Sequence, residues 1–125
     1  MKTENHKSSI LIIYTGGTIG MKSDPADGTL KPFNFSQILD EVPELAKFAC
    51  RIDSYSFSPI IDSSDVEPSM WLALVELIES RYDEYDGFVV LHGTDTMSYS
   101  ASAVSFMIEG LTKPVVFTGS QLPIG

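Results

Sequence analysis

The sequence has a single cysteine, Cys50, among 125 residues. No internal disulfide is possible, so folding must rest on a hydrophobic core, and the lone thiol suits a reducing compartment. Histidine is almost as scarce. His6 lies in the N-terminal tail and His92 far from it, so no His or Cys cluster has metal-ligand spacing and no metal is expected. Positive charge is short as well: 8 Lys and Arg against 17 Asp and Glu leave a net charge of −9. Such a charge repels phosphate backbones and disfavours nucleic acid as a partner. No apolar run approaches the roughly 18 residues of a membrane helix. The polar segment Met1–Ser9 lacks the basic and apolar regions of a secretory signal. Internal repeats, low-complexity tracts and charge blocks are also missing. The expectation is an acidic, soluble, cytoplasmic protein with no membrane partner.

What is present suffices for one folded domain. Hydrophobic residues make up 43% and charged residues 20%, enough to bury a core. The length falls within the roughly 100–200 residues of an ordinary domain. Ile10-Leu11-Ile12-Ile13-Tyr14, Phe88-Val89-Val90-Leu91 and Val115-Val116-Phe117 are continuous apolar runs, each followed by a turn containing glycine. Strands covered on both faces have this pattern, whereas half-exposed strands alternate. Arg51–Ser58 does alternate and is expected nearer a sheet edge.

Helical periodicity fills the gaps. Between Pro68 and Tyr85, the residues Trp71, Leu74, Val75, Ile78, Tyr82 and Tyr85 share one face, and Pro68 suits a first helical turn. Met97, Ala101, Val104 and Ile108 form a second stripe, stopped by Gly110 and Pro114. Phe35–Phe48 is a third helical segment, with a break expected at Pro43. Met21–Asn34 carries turn signals without periodicity, which predicts a long lid-like loop. Strands alternating with helices predict an α/β fold: a doubly wound, mainly parallel, flavodoxin-like sheet with helices on both faces.

In such sheets, ligands bind beyond the carboxyl ends of the strands. Four hydroxyl-rich turns fall there: Thr15-Gly16-Gly17-Thr18-Ile19-Gly20, Asp62-Ser63-Ser64-Asp65, His92-Gly93-Thr94-Asp95-Thr96 and Thr118-Gly119-Ser120-Gln121. Each has a plainer role available. The glycine turn fits neither the phosphate-binding loop nor the dinucleotide fingerprint and would serve as a tight turn. Asp65 and Asp95 precede helices and would serve as caps. His92 follows a buried strand, where packed or hydrogen-bonded histidines are the rule, and Cys50 is a small residue with no His partner nearby.

Three of these segments carry a resemblance. Tyr14-Thr15-Gly16-Gly17-Thr18-Ile19-Gly20-Met21, Asp62-Ser63-Ser64-Asp65 followed by Trp71, and Asp86 through Met97 with His92-Gly93-Thr94-Asp95-Thr96 resemble the L-asparaginase family. Within it, the likeness is to the cytoplasmic bacterial type I enzymes. It runs in order from about Ile10 to the last residue. It implies hydrolysis of L-asparagine to L-aspartate and ammonia without metal or organic cofactor, in a homo-oligomer. It further implies that Thr18 is the nucleophile that forms an acyl-enzyme and Thr94 a second catalytic threonine. By the same resemblance Asp95 holds the α-amino group of the substrate, Ser63 its α-carboxylate, and Ser64 a neighbouring contact.

The sequence also departs from the family. Members continue well beyond this length, with a downstream lysine that hydrogen-bonds the second threonine, and have a second, smaller domain and sites completed by a neighbouring subunit. Residues 1–125 are therefore expected to be the N-terminal part of the catalytic domain, inactive alone. Many members carry a tyrosine in the loop after the nucleophile, where this chain has Gly28-Thr29-Leu30-Lys31-Pro32. Alternatives within the fold are a glutaminase-asparaginase or an asparaginase-like subunit of a transfer-RNA amidotransferase. Outside it stand a nucleotide or small-molecule-binding α/β module and a non-catalytic fragment.

Overall fold

The computed structural model of the chain describes residues 8–32, 38–58, 60, 61, 63–120, 122 and 123. Its central strand is β1, Ser8–Tyr14, where Leu11 through Tyr14 are all buried because both faces of the sheet are covered. On one side β1 pairs in parallel with β4, Cys50–Ser56, and on the other with β5, Gly87–Leu91. β6, Val115–Thr118, extends the sheet beyond β5, again in parallel, giving the order β4-β1-β5-β6. Among these four strands the second in sequence precedes the first, the flavodoxin-like arrangement expected. It places a switch point between β1 and β5, where connections leave in opposite directions.

The alternation of side chains along β1 divides the core. Leu11 and Ile13 face α2, Pro68–Ser80, and α3, Met97–Met107, and pack with Leu74, Val75, Ile78, Phe88, Val90, Val104 and Ile108. Burying each such side chain contributes about 1.5–3 kcal/mol before entropy is counted. Ile12, Tyr14 and Leu91 face the other way, against Ile19, Val42 and Leu45. That second face is met by Val42 and by Leu45 of the 3₁₀ turn Pro43–Lys47, which follows α1, Ile38–Glu41. Helices therefore lie on both faces, as expected, though unequally.

Two elements differ from the sequence expectation, and a third divides as expected. α2 stops at Ser80 rather than Tyr85, because the Arg81 N–H reaches both Leu77 and Ile78 carbonyls and tightens the last turn. Tyr85 remains buried outside the helix, edge-on to Phe88, and its hydroxyl donates to Asp53 at 2.7 Å. The Phe35–Phe48 segment divides where predicted: Val42, at φ −129° and ψ 75°, is pushed out of the helical region by Pro43. Residues 35–37 of that segment, and 33 and 34 before it, lie outside the described residues. The long loop expected over Met21–Asn34 is corrected to an antiparallel hairpin, β2 Met21–Ser23 with β3 Leu30–Pro32. It is closed by Asp24 N–H to the Thr29 carbonyl and Gly28 N–H to the Asp24 carbonyl. Strands of three residues are too short to display a period, so only the turn was legible. Lys31 holds Asp24 at 2.8 Å, and that ammonium keeps the Asp24 carboxyl below its usual range. β4 is an edge strand, as its alternation predicted. Among the described residues, no helix is long and apolar enough to cross a membrane.

Candidate active site

The carboxyl ends of β1 and β5 meet through backbone. The Thr15 N–H donates to the Leu91 carbonyl at 3.0 Å, and the buried Thr15 hydroxyl donates to the same oxygen at 2.9 Å. Thr15 is thereby consumed as a clamp between strands. Gly16 follows, where an added Cβ would lie 1.9 Å from the Ile61 carbonyl oxygen. The Ile61 N–H in turn donates to the Thr15 carbonyl at 2.7 Å. These contacts tie the β1 turn to the segment leading into Ser63.

Gly17 has φ 99° and ψ 163°, a conformation essentially confined to glycine. Its missing side chain lets it touch the next turn: a Cβ there would sit 2.7 Å from both Cα and N of Gly93. Thr18 then opens the short 3₁₀ turn Thr18–Gly20. It is half-buried, and among the described residues its hydroxyl has no hydrogen-bond partner. The Tyr14 hydroxyl donates to the Gly17 carbonyl at 2.8 Å. Burial pushes that phenol up to about 12, so it remains a proton donor.

The β5 turn is held from the other side. The His92 N–H donates to the Thr118 carbonyl at 3.0 Å, and a Cβ on Gly119 would lie 2.4 Å from the His92 carbonyl oxygen and 3.2 Å from Thr94 Cγ2. The β6 turn is thus seated directly on Thr94. Thr94 and Asp95 are exposed beyond it. Among the described residues the Asp95 carboxylate has no hydrogen bond or ion pair. Neither aspartate caps a helix, contrary to the plainer expectation: the flanking positions are Thr96 for α3 and Glu67 for α2, with no side-chain cap at either. Ser63 and Ser64 belong to the 3₁₀ turn Ser63–Asp65, beginning two residues after Ile61, and Ser64 is exposed. Asp62, the Ser63 side chain and Gln121 lie outside the described residues.

His92 is 1% exposed and fully engaged. Its Nδ1 lies 2.7 Å from the Gly93 carbonyl oxygen and its Nε2 lies 2.9 Å from Ser100 Oγ. The Trp71 indole N–H donates to that same Ser100 Oγ at 2.8 Å. The expectation of a hydrogen-bonded core histidine is met. Ser100, itself 0% exposed, was not singled out in the sequence. Its signal was a polar residue inside the apolar stripe of α3, between Met97 and Val104.

The two lysines of the β2–β3 hairpin are paired. Lys22 binds Glu41 at 2.6 Å and Lys31 binds Asp24 at 2.8 Å. The arrangement therefore brings the Thr18, Thr94–Asp95 and Ser63–Ser64 turns together around the switch point, with a Thr18 hydroxyl and an Asp95 carboxylate that have no partner among the described residues. It suits nucleophilic attack on a ligand that carries a positive group.

Comparison with known proteins bears on this geometry. A family profile described as Asparaginase, N-terminal, matches residues 9–125. The chain is 46% identical over 123 residues to L-asparaginase 1 of Escherichia coli strain K12, covering 94% of this chain and 35% of that protein. It is 44% identical over 115 residues to a glutamyl-tRNA(Gln) amidotransferase component of Aeropyrum pernix, covering 90% of this chain and 26% of that one. The solved structure of L-asparaginase I from Vibrio cholerae O1 biovar eltor superposes with a TM-score of 0.80 at 42% identity, covering 96% of this chain and 36% of that chain. The chain spans about a third of the length of the two L-asparaginases.

Proposed function

The chain belongs to the asparaginase family, and from that premise we propose that it forms the N-terminal part of the catalytic domain of an L-asparaginase. The reaction is hydrolysis of L-asparagine to L-aspartate and ammonia. The observation that carries this assignment is the backbone contact between Gly17 and Gly93, which starts Thr18 and Thr94 from touching turns at the sheet switch point.

In this proposal the Thr18 oxygen attacks the side-chain amide carbon of asparagine, and ammonia leaves to give an aspartyl ester. Water then hydrolyses that ester and returns the threonine hydroxyl. Their bonding supports the choice between the two threonines of the motif: Thr15 spends its hydroxyl on the Leu91 carbonyl, whereas the Thr18 hydroxyl has no partner among the described residues. Thr94 assists proton transfer, Asp95 pairs with the substrate ammonium, and Ser63 and Ser64 receive the α-carboxylate. Backbone N–H groups of the glycine turns are suited to stabilise the oxyanion.

A threonine nucleophile needs a base. Tyr14 does not serve, because its phenol keeps its proton and donates it to Gly17. Lys22 and Lys31 are held by carboxylates. By the family resemblance, the base is assigned to sequence outside these 125 residues, as are the second domain and the groups from a neighbouring subunit in a homo-oligomer. No metal or organic cofactor takes part, and the compartment is the cytoplasm, in keeping with the single cysteine.

The amidotransferase relative supports a second assignment, in which the same turns release ammonia from an amide for transfer to another substrate. One experiment separates these and tests the whole. The complete enzyme is assayed for ammonia release from asparagine and from glutamine, beside Thr18→Val. Loss of at least about 10³-fold in kcat is expected for the variant. Near-normal turnover would remove the nucleophile assignment.

A further inference from the structure

With one proton on the imidazole, the hydrogen bonds around His92 have one consistent direction. A carbonyl oxygen only accepts, so His92 Nδ1, 2.7 Å from the Gly93 oxygen, carries the proton. Neutral imidazole then offers Nε2 as an acceptor, and Ser100 Oγ at 2.9 Å donates to it. Ser100 has one proton to give, and its oxygen accepts from the Trp71 indole, which only donates. The chain Trp71 to Ser100 to His92 to Gly93 therefore uses every hydrogen without conflict. It runs from α2 through α3 to the β5 turn.

We propose that Trp71, Ser100 and His92 act as positioning residues that fix the Gly93–Thr94 peptide for catalysis. The carbonyl at the end of the chain belongs to the peptide whose nitrogen is that of Thr94. Holding the oxygen fixes the plane of that peptide and so the direction in which Thr94 leaves it. Gly93 is the residue against which Gly17 packs, so the same bond also sets the β5 turn against the turn bearing Thr18. A buried network satisfied at every atom holds one geometry, because any other leaves a polar group unpaired. His92 contacts no substrate in this scheme. Its effect passes through Thr94, and the inference rests on the catalytic role proposed above for that residue.

Substitutions at His92 separate positioning from packing. In His92→Asn the amide nitrogen occupies the place of Nδ1 and keeps the bond to Gly93, at a large loss of volume. In His92→Gln the volume is nearly kept, but the amide reaches toward Ser100 instead. The complete enzyme is expected to retain more kcat in His92→Asn than in His92→Gln, while the thermal unfolding midpoints rank the other way. Ser100→Ala and Trp71→Phe each remove one link with little change of shape. Each should lower kcat on the order of tenfold, the share of one buried hydrogen bond, with KM within about twofold. Higher kcat in His92→Gln than in His92→Asn, or unchanged kcat in Ser100→Ala, overturns the proposal. A nitrogen-15 NMR spectrum of the imidazole supplies a readout independent of turnover. It should show a protonated Nδ1 and an unprotonated Nε2, and the opposite tautomer also overturns the relay. Turnover retained in Thr18→Val would instead defeat the proposed function and leave the NMR result standing.

Discussion

Gly17 and Gly93 meet backbone to backbone, with room for no side chain between them: a Cβ on Gly17 would lie 2.7 Å from the Cα and N of Gly93. Two turns from strands separated by more than seventy residues are thereby brought as close as chains can come. The neighbours of these glycines in sequence are Thr18 on one side and Thr94 on the other. A catalytic pair drawn from two strands requires this kind of approach, and glycine at both positions permits it.

Gly17→Ala should therefore damage both stability and turnover. The methyl group meets backbone atoms that cannot rotate away, and φ 99° with ψ 163° disfavours any L side chain. The expected loss is about 3 kcal/mol or more, combining backbone strain with displacement of the β5 turn. Gly28→Ala provides the comparison. That position also has positive φ, at +75°, but nothing lies within 4 Å of its added Cβ. Its expected cost is about 1–2 kcal/mol, from conformation alone. Urea denaturation of both variants measures the difference, and equal losses would show that contact with Gly93 is unimportant.

Asp95→Asn tests recognition of the substrate ammonium. The carboxylate has no protein partner among the described residues and caps no helix, so the substitution removes no structural bond within them. Once substrate closes over it, an ammonium without a charged partner is strongly disfavoured. In the complete enzyme kcat/KM for asparagine should fall by more than about 10²-fold. Discrimination against analogues lacking the α-amino group should fall with it. Steady-state kinetics with asparagine and its deaminated analogue decide the point, and an unchanged kcat/KM would reject the role.

Tyr14 predicts a pH dependence with a defined sign. Burial raises its phenol from an ordinary value near 10 to about 12. Below pH 10 both folded and unfolded chains keep the proton, and the stabilisation is fully present. Between about pH 10 and 12 the unfolded phenol ionises first, so the folded state binds more protons and stability falls as pH rises. Tyr14→Phe should flatten that fall. At neutral pH it should cost about 1 kcal/mol through the lost bond to the Gly17 carbonyl. Tyr85, raised in the same direction by burial and by its bond to Asp53, contributes a residual slope. Denaturation midpoints at pH 9 and near pH 11.5 give the comparison. A variant as alkali-sensitive as the parent would place the titration elsewhere.

The parts of this architecture that were legible in sequence are those with a period or a punctuating residue. The β1 run Ile10–Tyr14 announced a doubly covered strand, and the alternation of Arg51–Ser58 announced an edge. Pro43 marked a helix break that the structure has at Val42. The hairpin Met21–Pro32 had no such signature, because its stability comes from turn hydrogen bonds and the Lys31–Asp24 pair rather than from a buried face. At the site, the turns were readable from their glycines and hydroxyls. What composition and spacing alone could not give was which hydroxyl is engaged: the resemblance singles out Thr18, and the pairing of Thr15 with the Leu91 carbonyl supplies a physical reason for the difference. Ser100 was hidden for a related reason, since Trp71 lies 29 residues away and meets it only once α2 and α3 pack together, and His92 reaches it from the end of β5.

The 125 residues can be tested by themselves. They span about a third of the L-asparaginases they match. Among the described residues, three candidate bases for Thr18 are already engaged: the Tyr14 phenol keeps its proton, and Lys22 and Lys31 are paired with Glu41 and Asp24. Thr94 and Asp95 are exposed, so water reaches the groups that would stabilise charge, and electrostatic stabilisation is weakened in a wet site. Apolar side chains at Tyr99, Phe106 and Val116 are exposed as well, which favours self-association of the isolated chain. Purified alone and monomeric, it should release no ammonia from asparagine above background. Activity should return when the downstream part of the enzyme is supplied, in one chain or as a second piece. Steady ammonia release by the monomer, abolished by Thr18→Val, would show instead that a base lies within these residues.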